Sequence, residues 1–160
     1  MQFLGRRSAG GAGGFALRKH FRNNLLLAAE VFEKLDRPAD ALLYLAEPLR
    51  MDPDDPKTDM RPTTHAIGHA LRGRMLASQG KKVEAEAAFE EAIEVSHRTG
   101  LRLFEMFALR DLKKHVLDGD GRGESGVRRL KAVLQEMHGP VEELTKLLGD
   151  GLDAEEILRS

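Results

Sequence analysis

Small residues and one aromatic recur at short, regular intervals in the stretch Gly73 to Ile93, where Gly73, Gly80, Ala85, Phe89 and Ala92 stand among charged residues. Such an alternation of bulk with absence of bulk marks either a backbone turn around a ligand or two helices pressed together. The second reading governs here, because from Phe15 onward apolar residues recur at spacings of three and four and no stretch sustains an alternation of period two. The spacing predicts helices over 15–35, 38–50, 63–79, 82–98, 101–117, 125–138, 141–148 and 154–159. Pro38 falls where a first-turn proline is tolerated, Gly80 and Gly100 where a helix end needs a left-handed residue, and Asp153 with Glu156 at the spacing of a capping box. Between the second and third helices, "DPDDPKTDMRP" reads as a loop. The fold class is therefore all-α.

The same spacing returns elsewhere. Ala85, Phe89 and Ala92 match Ala41, Leu45 and Pro48, and their partner helices match too, with Gly73 and Leu76 set against Ala29 and Phe32. A small residue where two helices cross, followed by a large one that fills the hollow, is a packing signal. A looser third unit follows Leu101, with Phe104, Phe107 and Ala108 in its first helix and Gly126, Leu130 and Val133 in its second. Extra residues between them fall in "DGDGRGE", where added length costs little closure entropy.

These residues resemble the tetratricopeptide repeat family, whose units of about 34 residues favour small, large, small, large, small and proline at fixed places. Ala29, Phe32, Ala41, Leu45, Pro48 and Pro53 fill those places once, and Gly73, Leu76, Ala85, Phe89, Ala92 and His97 fill them again. Departures are Leu25 and His69 where the family has an aromatic, Pro48 at a small place, and His97 at the closing proline. The resemblance covers about Arg22 to His138. It implies antiparallel helix pairs stacked as a short superhelical array of about three repeats plus C-terminal helices, over 15–160. The run from Gly80 to Leu112, with "GLDAEEIL" near the end, is also similar to the C-terminal repeat segment of large regulatory ATPases and adenylate cyclases. No GxxxxGK[ST] loop accompanies it, so no nucleotide hydrolysis carries over.

Function under this resemblance is protein–protein interaction, with a peptide or partner helix held in the concave groove lined by the first helix of each pair. The family's ligand places carry over to Asn23, Leu26, Glu30, Glu33 and Lys34, then Ile67, Ala70, Arg74, Ala77 and Ser78, then Arg102, Glu105, Leu109, Leu112 and Lys113. From these, Asn23, Glu30, Ile67, Arg74, Ser78, Arg102 and Lys113 are the expected groove residues. The carboxylate clamp of the chaperone-binding members would need basic or amide residues where Leu26, Glu30, Leu71 and Met106 stand, so only Arg102 keeps even the charge. Two alternatives are a helical segment of a larger signalling ATPase and a self-associating structural module.

Other chemistry is sparse. His65 and His69 are spaced to share a metal on one helical face, but a zinc site takes three or four ligands, and the Glu of HExxH is replaced by Ala66. Two partly exposed histidines are expected instead, with no metal and no cofactor. The acids Asp52, Asp54, Asp55 and Asp59, and those of Asp118 to Glu124, lack the complete ligand set of a calcium loop. No cysteine, no GxSxG elbow and no activated serine is present, so no enzyme is expected. Glu84, Glu86, Glu90, Glu91 and Glu94 are expected on a solvated helix face.

With 41% hydrophobic and 32% charged residues, the composition suits one helical domain. A net charge of −1, one Tyr and no Trp argue against nucleic acid as a partner. No apolar run approaches the roughly 18 residues of a membrane span. Up to Ala29 the chain carries five basic residues and no acid. This Gly-rich opening weakly resembles an organelle transit peptide, and residues 1–14 are expected to be disordered or targeting-like. A cytoplasmic location is the expectation, an organelle the alternative.

Overall fold

The computed structural model describes residues 13–50 and 61–160, and among them every regular element is helical. They are α1 (Gly13–Lys34), α2 (Pro38–Leu49), α3 (Pro62–Ser78), α4 (Lys82–Arg98), α5 (Arg102–Leu112), α6 (Gly123–Glu136), α7 (Val141–Leu148) and α8 (Ala154–Arg159). The opening residues 1–12 and most of the acidic loop expected after α2 lie outside the described residues. No described helix is long and apolar enough to cross a membrane.

Local chemistry sets the helix ends. Pro38 and Pro62 occupy the first turns of α2 and α3, where a missing amide hydrogen leaves no bond unmade. Gly80 (φ 75°) and Gly100 (φ 72°) follow α3 and α4 in the left-handed region, and the next amides, of Lys81 and Leu101, donate back to the Leu76 and Ser96 carbonyls. The chain thus reverses within a few residues and lays consecutive helices side by side. Asp153 caps α8 by accepting from the amides of Glu155 and Glu156, an interaction of about 1 kcal/mol.

Neighbouring helices pack in sequence order, with α3 against α4 the most extensive pair and α1 against α2 the next. Among the described residues two hydrophobic clusters result. The smaller joins Leu26 and Ala29 of α1, Ala41 and Leu45 of α2, and Leu71 and Met75 of α3. The larger runs from Leu76, through Ala85, Phe89 and Ala92 of α4, to Leu144, Leu148 and Ile157 at the C-terminal end. Phe89 is fully buried, and a Cβ placed on Gly73 would lie 2.7–2.8 Å from its ring. The small-then-large spacing is therefore the close approach of α3 and α4. Gly126, Leu130 and Val133 are buried in α6 as their spacing predicts.

The helix expected to run unbroken from Leu101 to Leu117 does not remain α-helical. After Leu112 it continues as a π-helical turn, Lys113–Leu117, closed by the Asp118 amide on the Lys113 carbonyl at 2.9 Å. A π turn takes up extra chain, and here it leaves both Val116 and Leu117 buried beside Leu112. Part of the added length is thus absorbed inside the helix, before "DGDGRGE". In that turn Asp118 pairs with Lys113, and Asp120 with Lys82 and Arg122.

The acidic face of α4 is not simply solvated either. Glu86 receives a two-pronged bond from Arg122 at 2.8 Å on each oxygen, and Glu90 one from Arg129 at 2.6 and 2.7 Å. The Arg122 bond holds the Glu86 carboxyl below the usual carboxylate range. These forked pairs fix the start of α6 against α4 with a geometry lysine could not supply.

Candidate partner trough between α3 and α5

On the faces of α3 and α5 that approach one another lies a shallow trough of about 170 Å³. Ala66, Ile67 and Ala70 come from α3, Phe104, Phe107 and Ala108 from α5, and the charged rim is Arg74, Arg110 and Asp111. Turning Ala85, Phe89 and Ala92 inward on α4 holds the apolar stripe of α3 in one orientation, which leaves Ile67, Ala70 and Arg74 on the adjoining stripe. On α5, burial of Met106, Leu109 and Leu112 does the same for Phe104, Phe107 and Asp111.

Arg74 organises the rim. Its guanidinium donates to both carboxylate oxygens of Glu33 at 2.6 and 3.0 Å and to Asp111 at 3.0 Å, tying α1, α3 and α5 together. Burial alone would lower its pKa, but the Glu33 and Asp111 carboxylates outweigh that and raise it. Arg110 covers the Asp111 side, bonding its second oxygen at 2.8 and 2.9 Å, and its guanidinium lies 5.1 Å from the Phe107 ring centre. Asp111 is thus a buried carboxylate shared by two arginines. Arg74→Met should cost about 1–2 kcal/mol in chemical denaturation, because Glu33 keeps solvent and Asp111 keeps Arg110; an unchanged midpoint would mean the network contributes nothing to stability.

Of the expected groove residues, the structure brings Ile67 and Arg74 into this trough. Asn23 is exposed and Glu30 half-buried on α1, and neither lines it. The Ser78 hydroxyl donates to the Met75 carbonyl at 2.8 Å. Arg102 is taken up by Glu105 at 2.7 Å and Glu136 at 2.6 Å. Lys113 donates to both oxygens of Asp118 at 3.0 Å. Leu109 and Leu112, also carried over from the resemblance, are core residues. The α5 lining residues Phe104, Phe107 and Asp111 stand two places beyond Arg102, Glu105 and Leu109.

A second cluster sits in the seam between α3 and α4. His65 and His69, expected to be partly exposed, are buried, at 2% and 8% exposure. Their Nε2 atoms are 3.1 Å apart and the rings meet edge to face. Exposed Glu91 of α4 brings a carboxylate oxygen within 4.8 Å of both imidazoles. Burial, then the neighbouring His65 and Arg72, push the His69 pKa down to about 3. His69 is therefore neutral at physiological pH, with a lone pair on one ring nitrogen. Its Nδ1 is buried with no hydrogen-bond partner.

No protein-family model, curated protein or solved structure matches this chain.

Proposed function

We propose that the chain is a non-enzymatic interaction scaffold of stacked helix pairs, similar to tetratricopeptide repeats, that holds an extended peptide or partner helix across the α3–α5 trough. The observation that carries this reading is an apolar floor of Ile67, Ala70, Phe104, Phe107 and Ala108 set beside a rim of fixed charges. Apolar concavities with a few oriented polar groups are the usual form of a recognition site. Because Arg74 already donates to Glu33 and Asp111, a partner's terminal carboxylate would have to displace one of them. Apolar side chains seated on the floor are the better fit, with the rim charges setting orientation.

Selection of a random peptide library on the full chain tests this. Retained peptides should share an apolar anchor, and Ala70→Glu, which puts a charge on the half-buried floor, should weaken them by at least about tenfold, or about 1.4 kcal/mol. Circular dichroism of the variant should be unchanged. Peptides that bind the Ala70→Glu protein equally well would place recognition elsewhere.

A further inference from the structure

We propose that His65, His69 and Glu91 form a zinc-class divalent cation site that clasps α3 to α4. Two histidines four residues apart are insufficient alone, and the sequence offers no third ligand on the same helix. Folding supplies it from the antiparallel neighbour, since Glu91 brings a carboxylate oxygen within 4.8 Å of the imidazole pair. The result is two nitrogens and one oxygen, a donor set suited to zinc, with the fourth position left for water.

The geometry is close to that of a bound state. Zinc–nitrogen bonds of about 2.0–2.1 Å at a tetrahedral angle put two ligand nitrogens about 3.3 Å apart. The two Nε2 atoms are at 3.1 Å, with the rings edge to face rather than stacked. The two imidazole nitrogens therefore already stand at the separation that two zinc ligands need, and both are held by a helix packed on α1, α2, α4 and α5. Glu91 is the exposed member, and rotation of its side chain would have to close the remaining distance. Arg72, whose charge is felt at His69, opposes a cation, and the Glu91 carboxylate offsets it. A water-filled or hydrogen-bonded histidine pair is the competing account of the same contact, and it makes no use of Glu91.

The untagged full chain, stripped with a chelator and titrated with zinc against a chromophoric competitor, should bind one equivalent and gain thermal stability. Cobalt substitution should give the visible absorption of a tetrahedral centre. Glu91→Gln, on an exposed side chain that cannot disturb the core, should weaken zinc by at least about tenfold, and His69→Gln by more than the roughly 10–100-fold that loss of a supporting partner gives. His138→Gln, at an exposed histidine remote in sequence from the cluster, should leave affinity unchanged and so exclude adventitious surface binding. Absence of stoichiometric uptake, or zinc affinity unaltered by Glu91→Gln, overturns the site.

Discussion

Phe89→Ala is expected to lower the free energy of unfolding by about 3–5 kcal/mol, read as a shift in denaturation midpoint at unchanged slope. The ring has no exposure and is gripped between α3 and α4, with the backbone of Gly73 against it. Removing it leaves a cavity that two backbones already in close contact cannot fill by moving together. The complementary change overfills the same place. A Cβ on Gly73 meets the ring at under 3.0 Å, so Gly73→Leu should force the helices apart and cost more than the roughly 1–3 kcal/mol of ordinary overpacking. Gly73→Ala combined with Phe89→Leu should be less damaging than the two single losses added, since the smaller side chain makes room for the new methyl. Strict additivity, or a loss near zero for Phe89→Ala, would mean that the small-then-large spacing has another cause.

That spacing was legible because it reports a local volume constraint. Where two helices touch, bulk on one side demands its absence on the other, and residues such as Ala85, Phe89 and Ala92 record this within two turns of chain. The left-handed glycines were legible for the same reason. The α5 face was not, because counting the third unit from Leu101 puts Arg102, Glu105 and Leu109 at the ligand places instead of the residues that flank the buried stripe. Met106, Leu109, Leu112 and Val116 recur at three and four spacing, and aligning on them would have placed Phe104, Phe107 and Asp111 beside Arg74. The π turn after Leu112 leaves no pattern in the residue types themselves. Ion pairs such as Glu33 with Arg74, 41 residues apart, depend on how the helices stack. The histidine pair lay between these cases: its helical spacing could be read, but Glu91 joins it only through the packing of α4 on α3.

Acid should destabilise the protein well above the pH at which carboxylates begin to protonate. An unfolded histidine titrates near 6.5, whereas burial, reinforced by His65 and Arg72, holds His69 at about 3 in the fold. Above about pH 6.5 both states are neutral there and stability does not change on this account. Below it only the unfolded chain takes the proton, so stability falls by up to about 1.4 kcal/mol per pH unit until pH passes through the folded value. His115, which burial also pushes down, adds a slope of the same sign. Glu86, Asp120 and Asp150, lowered by their Arg122 or Lys partners, act in the same direction but only in the carboxylate range. The interval from pH 6.5 to 5 therefore isolates the histidines, and wild type in the presence of a chelator should lose about 2 kcal/mol across it. His69→Gln, which cannot take a proton, should keep most of that stability. Parallel pH profiles for the two proteins would show that the His69 ring is reached by water, and that α3 and α4 do not close over it.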